Sequence, residues 1–418
     1  MSYFRIYIYL KTLDFIYSLF FTSSKSQEIK IKKIFNSYTK KKNSILTSQL
    51  RVGFVLVLKY LIKKFSRRNE IIINSYNLEE MVNICQNLKL KIVFTKLNEN
   101  IFISEKDLIK KINKKTLAVV ITNIFNSHRD ILKIKKICKK NGVTLIEDNA
   151  IYFGNYFKSK SKKIYSGSFG DFSLHSFNIM KNISGMFGGL ISTNDNNFEK
   201  FALSEIKKFK NFPSIKYIKQ VLIFFILKTF SIKLFYRLFF FKIIKLAHKK
   251  NIKFIMEAIY PSLKFNKNNH FNMYLYKIHP LTIKFVERQL TNRDNLLKNY
   301  NVRMQNNLLY NKLFEKNKIK QLNYIEIKDK NFQNFNEYPI IVNDKKKLKD
   351  FLFEKGIETK FLQYVDCHKI FRHFNKSDGL NDYQNKILCL PNHIKISKKY
   401  IAYIVDCIDT YYKRKIKF

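Results

Sequence analysis

Tryptophan is missing from the 418-residue chain, while proline occurs five times, cysteine five times and glycine ten times. So little proline and glycine excludes collagen-like and low-complexity classes. Cys85, Cys138, Cys367, Cys389 and Cys407 are scattered, with no C-x-x-C pair and no histidine at finger spacing. Reduced, buried thiols are therefore expected, with no disulfide framework and no metal site. Acid is scarce too: 31 Asp and Glu stand against 79 Lys and Arg, a net charge of +48. No uncharged apolar run approaches the ~18 residues of a spanning helix. The apolar N-terminus, MSYFRIYIYLKTLDFIYSLFF, is interrupted by Arg5, Lys11 and Asp14 before a signal-peptide core can form. A cytoplasmic protein is expected.

Apolar residues at 46% and charged residues at 26% are ordinary for globular chains, and the length suits two domains. The lysines are dispersed, and no helix-turn-helix, finger or stacking motif accompanies them. Specific nucleic-acid binding is not expected, and compositional drift toward Lys, Asn, Ile, Phe and Tyr accounts for most of the charge.

From about residue 69, short β-branched runs alternate with helix-period stretches. Strands are expected at Glu70 to Ile73, Lys91 to Thr95, Leu117 to Thr122, Thr144 to Glu147, Phe172 to Phe177 and Leu190 to Thr193. Helices are expected at Leu78–Leu88, Glu105–Asn113 and Asp130–Lys140, the last capped by Asp130 and closed by Gly142. Such alternation implies an α/β domain with a mostly parallel sheet covered on both faces. Residues 206–250 break the rhythm with 12 Lys or Arg, no Asp or Glu, and a dense apolar core. They read as one or two basic amphipathic helices. Such helices lie either in the surface plane of an anionic membrane or packed on protein, this chain or a second subunit. From about Tyr338, the strand-like YPIIV, a helix from Lys345 to Lys355, GIETKF, LCLP and a closing helix suggest a small α+β domain.

Six of the ten glycines, Gly154, Gly167, Gly170, Gly185, Gly188 and Gly189, fall within 36 residues. A chain this poor in glycine keeps it where backbone must turn or come close, which puts a site between Asp148 and Asp195. Glu147 and Asp148 end a predicted strand, at the sheet edge where ligands bind.

The segments IEDNA and GSFGDFSLHSFNIMKNISGMFGGLISTND resemble the core of the pyridoxal-phosphate-dependent DegT/DnrJ/StrS sugar aminotransferases, a fold-type-I family. Supporting similarity extends to NEIIINSY, GIETK and LCLPNH, about two thirds of the chain in all. The resemblance implies a fold-type-I aminotransferase-like large domain and a small α+β C-terminal domain. It also implies a homodimer with sites at the subunit interface, and amino transfer from an amino acid, usually glutamate, to a nucleotide-linked keto-sugar. The expected division is an N-terminal extension (1–43), the cofactor-binding domain (44–204), the basic helical insertion (205–266) and the small domain with its leading helix (267–418).

Carried over by position, Lys181 takes the place of the lysine that condenses with the cofactor aldehyde. Asp148, 33 residues earlier, takes that of the carboxylate facing the pyridine nitrogen. Ser176, five residues before the lysine, corresponds to a phosphate-contacting serine. A lysine amine can capture an aldehyde and later carry a proton, while a carboxylate keeps the ring nitrogen protonated. Departures are equally specific. The Gly-Thr pair expected at the phosphate is replaced by TSQLRVGF, leaving Ser48, Arg51 or Gly53 as substitutes. The ring-stacking aromatic falls on Leu78, and the Gln or His after the aspartate on Ile151. Of the partner-subunit segment, only Tyr276 and Lys277 correspond, with Leu275 in the Asn place. A catalytically impaired relative serving as a binding or scaffolding subunit is therefore the alternative.

Overall fold

The computed structural model describes residues 2–5, 7–19, 23–125, 128–151, 153–159, 162–250, 252, 270–325, 335–360, 363–371 and 383–416. Its centre is a seven-stranded sheet in the order 43–47, 189–193, 172–176, 144–148, 116–122, 70–74 and 91–95. The five strands from Phe172–Ser176 to Lys91–Thr95 are parallel, whereas Gly189–Thr193 and the edge strand Asn43–Thr47 join antiparallel. Thr116–Thr122 is buried at every position, as befits a central parallel strand covered on both faces. The sheet thus follows the β-branched runs, with the added edge strand Asn43–Thr47.

Local sequence explains the covering helices. Lys25–Thr39 starts at Ser24, which forms a capping box with Gln27, and buries Ile31, Phe35 and Tyr38 along one stripe. Leu50–Lys64 is apolar nearly all round, and it is buried between the sheet and neighbouring helices. Gly53 faces the sheet, where an added Cβ would lie 2.9 Å from Ile191 Cγ1, so its smallness serves packing and no ligand. The third expected helix begins at His128, two residues before Asp130, which therefore sits in the first turn and is not the cap.

The small C-terminal sheet pairs Tyr338–Val342 with Leu322–Tyr324 and Ile387–Leu390, all antiparallel. Helices Arg293–Asn317, Lys345–Glu354 and Lys398–Ile416 cover it around Tyr310, Ile340, Leu352, Leu390 and Ile404. Residues 206–250 form helix Ser214–Phe230 and then a helical run through Lys249 that contains a π-helical stretch, Tyr236–Phe240. Residues 251 and 253–266 of the expected insertion, and 267–269 of the expected small domain, lie outside the described residues. Tyr217, Phe224, Tyr236 and Ile244 clamp the N-terminal segment, burying Phe4, Ile8, Leu10 and Phe15. The Lys228 amine donates to the carbonyls of Ile8 and Leu10 at 2.8 and 2.7 Å. All five cysteines are free and buried.

His175 lies inside this fold against Phe35 and Phe153, and burial holds its imidazole down at about 3, from an ordinary 6.5. Below pH 6.5 the unfolded chain takes up the proton that the folded chain refuses, so stability falls as pH drops toward 3. Between pH 6.5 and 5 this costs ~2 kcal/mol. Buried His393, held at about 4, acts in the same direction. Asp148, held up at about 6 by burial, acts oppositely below pH 6, by about 1 kcal/mol. Urea unfolding will accordingly show a lower midpoint at pH 5 than at pH 6.5, and His175→Asn will flatten that difference.

Candidate active site

Asp148 is the last residue of its strand and Ser176 the last of the neighbouring one, so both stand at the C-terminal edge of the parallel sheet. Chains end their parallel strands at such an edge with loops, and ligands bind among them. Here the loop from Phe177 to Gly188 closes on itself, Phe177 N–H donating to Gly188 O at 2.9 Å and Gly185 N–H to Phe177 O at 2.7 Å. Gly188 has φ +125°, and a Cβ there would lie 2.7 Å from Thr282 Cγ2; only glycine fits. Thr282 and Tyr217 hydroxyls donate to Gly185 O at 2.9 and 3.1 Å, and Asn182 receives Arg303 Nη1 at 2.8 Å. The loop is therefore held from three helices, and it presents Lys181.

Lys181, Asp148, Ser176 and Arg51 line one cavity of about 230 Å³, together with Leu78, Ile151, Glu80, Phe187, Glu337, Lys360 and Tyr364. Burial pulls the Lys181 amine down to about 8, although the Asp148 carboxylate opposes this. Burial pushes the Asp148 carboxyl up to about 6, against the Ala150 N–H that donates to Oδ1 at 2.9 Å and against Lys181. Each group thus reports the other's field. The remaining charges are paired off: Arg51 Nη1 lies 3.5 Å from Glu80 and Lys360 Nζ 2.5 Å from Glu337. Three cations face three carboxylates, so the large positive charge of the chain is not concentrated here.

Sequence reasoning missed Glu337, Lys360 and Tyr364 as site residues. Lys360 exchanges backbone hydrogen bonds with Cys389 at 2.9 and 3.0 Å, extending the small sheet, and Glu337 immediately precedes the strand Tyr338–Val342. Tyr364 precedes Val365–Asp366, which pairs with Tyr76–Asn77 of the large domain. With Leu78 apolar, Tyr364 and Phe187 are the aromatic rings that line the cavity among the described residues.

One expectation moves. Ser48 does not line the cavity; it is buried, and its Oγ lies 3.5 Å from Tyr274 O. Tyr276 and Lys277 lie outside their own chain's cavity, where Lys277 N–H donates to Lys210 O at 2.8 Å and Tyr276 packs edge-on to Phe212. The glycine cluster is also shared out. Gly188 lines the cavity, but Gly154 (φ +90°) lies against Tyr300, and Gly167, Phe169 and Gly170 donate backbone N–H groups to Glu147 at 3.2, 2.9 and 2.7 Å. Glu147 is a buried anchor for the G-S-F-G turn.

A mostly parallel seven-stranded sheet with a small α+β domain closing over a lysine and a buried aspartate defines the fold-type-I aminotransferase architecture. Residues 14–216 match the model of the DegT/DnrJ/EryC1/StrS aminotransferase family. Among characterised relatives, a GDP-perosamine synthase of Vibrio cholerae is 30% identical over 38% of this chain and 42% of its own length. A UDP-4-amino-4,6-dideoxy-N-acetyl-β-L-altrosamine transaminase of Helicobacter pylori is 26% identical over 36% of this chain and 38% of its own. The match thus spans about two fifths of these relatives. In fold, the chain is similar to Helicobacter pylori PseC, an aminotransferase of pseudaminic acid biosynthesis, with TM-score 0.68 and 16% identity over 97% of this chain and 98% of that one. It is similar also to the Escherichia coli GDP-4-keto-6-deoxy-D-mannose-3-dehydratase, with TM-score 0.70 and 16% identity over 97% and 99%.

Proposed function

We propose that the chain is a pyridoxal-phosphate-dependent aminotransferase that moves an amino group from an amino acid, glutamate first, to a nucleotide-linked keto-sugar for cell-surface polysaccharide. The observation that carries this reading is a lysine amine drawn down to about 8 in the same cavity as a buried carboxylate. The relatives' names, a GDP-sugar synthase and a UDP-sugar transaminase, support the substrate class.

The donor set fits pyridoxal phosphate. Asp148 offers a buried acceptor for a protonated ring nitrogen, and Lys181 offers a neutral amine at mildly alkaline pH. The N-terminus of Leu50–Lys64, where Gln49 makes no side-chain cap, faces the cavity through Gln49, Leu50 and Arg51 and suits a phosphate, with the Ser176 hydroxyl nearby. When bound, the cofactor supplies an aldehyde and an electron-accepting ring. Lys181 Nζ would take the proton from the donor's Cα in the first half-reaction and would deliver a proton to the sugar carbon in the second; Asp148 would keep the ring nitrogen protonated; Glu337, Lys360 and Tyr364 would close the cavity from the small domain.

In this reading residues 44–204 hold the cofactor, 267–418 form the closing domain, 205–266 are a helical insertion, and 1–43 are an N-terminal extension whose Phe4, Ile8, Leu10 and Phe15 brace that insertion. The protein works in the cytoplasm as a homodimer, with Tyr276 and Lys277 serving the partner's site. Apolar Leu78 and Ile151 in the cavity favour a second reading, a non-catalytic scaffold. One titration separates them. Visible absorbance will develop when pyridoxal phosphate is added, glutamate will bleach it, and a nucleotide-linked keto-sugar will restore it. Absorbance indifferent to every amino acid, or no absorbance at all, overturns the aminotransferase and supports the scaffold.

A further inference from the structure

We propose that the outward face of residues 214–249 docks on an anionic lipid bilayer. Helix Ser214–Phe230 is apolar on two opposite sides. Tyr217, Phe224 and Leu227 point into the protein, whereas Ile215, Ile218, Leu222, Phe225 and Ile226, three or four residues apart around the other side, are 40–78% exposed. The following helical run repeats the division: Tyr236, Phe241, Ile244 and Ala247 are buried, and Leu234, Phe235, Leu238, Phe239, Ile243 and Leu246 are exposed. A helix apolar all round is ordinarily covered on every side. Among the described residues, 12 of the 21 exposed large hydrophobic side chains fall between Ile215 and Leu246. Three more, Leu13, Ile16 and Tyr17, belong to the helix Thr12–Leu19, whose Phe15 packs 5.0 Å from Phe225. Scattered exposed leucines need no explanation, but a patch of this extent marks an interaction surface.

Charge selects the occupant. Residues 206–250 hold 12 Lys or Arg and no acid. Lys216, Lys219, Lys233, Arg237 and Lys242 stand exposed among the apolar side chains. The neighbouring helix brings acids to one end only, Glu354 on Lys245 at 2.6 Å and Asp350 near His248. A second copy meeting this face about a twofold axis would set its lysines against these lysines. An anionic bilayer offers both what the phenyl and isoleucyl groups lack and the counter-charge the lysines lack, with Lys and Arg stems reaching to the headgroups. No described helix is long and apolar enough to cross a membrane, so the contact lies in the plane of the surface.

The test is flotation of the full chain with phosphatidylcholine vesicles carrying phosphatidylglycerol, against phosphatidylcholine alone. The chain will float with the anionic vesicles, stay behind with the neutral ones and be released by salt. Phe235→Ser with Phe239→Ser will lower partition on the order of tenfold or more, and Arg237→Glu with Lys242→Glu will abolish the preference for anionic lipid. Circular dichroism will match wild type in both, because these side chains are exposed. Failure to float with anionic vesicles, or flotation unchanged in both variants, overturns the proposal. So does a fall in oligomeric size by light scattering in the Phe variant, which would make the face a subunit contact.

Discussion

Replacing Lys181 by alanine will leave the protein colourless in the presence of pyridoxal phosphate and will remove turnover. The proton carrier alone is worth roughly 10²–10⁴-fold in such reactions, and the covalent anchor is lost with it. Folding will be unaffected, since the loop is fixed by Gly185, Asn182 and Ser184, whose partners Thr282, Tyr217, Arg303 and Gln289 do not involve the lysine side chain. Stopped-flow absorbance and amino-transfer assays on a variant with wild-type circular dichroism check this. Substantial turnover in that variant would mean that another amine does the chemistry.

Changing Asp148 to asparagine will have two effects of opposite sign. Turnover will fall roughly 10²-fold or more, because a buried charge left without its partner costs ~3–5 kcal/mol, and each 1.4 kcal/mol is tenfold. Yet the amine at position 181 will react with the aldehyde at lower pH. Its value of about 8 is set by burial, which lowers it, against Asp148, which raises it. Without the carboxylate the pKa drops, the neutral amine persists to lower pH, and the pH profile of adduct formation shifts to the acid side. General damage to the fold would slow both processes, so the divergence is diagnostic.

What the sequence disclosed followed from local physics. EIII, KIVFT, LAVVIT and TLIE are β-branched runs that suit a buried parallel sheet and little else, so their strands were legible to within a residue or so. Asp148 and Lys181 were legible because one chain segment carries both, with Ser176 between them. Glu337, Lys360 and Tyr364 were not, because tertiary pairing brings them in: Lys360 through Cys389 and Tyr364 through the Val365–Asp366 bridge to Tyr76–Asn77. Composition also hid the edge strand Asn43–Thr47, whose NSILT has polar ends and gains its place only against Gly189–Thr193. The basic insertion was legible as amphipathic helices; that Ser214–Phe230 has two apolar faces, one of them uncovered, emerged only from its packing.

The most direct test of the account is to trap the adduct. Borohydride reduction of the protein with pyridoxal phosphate, followed by peptide mass mapping, will place one cofactor-sized addition on Lys181 at stoichiometric yield, with the many surface lysines unlabelled. Label spread over those lysines, with Lys181 unmodified, would contradict it.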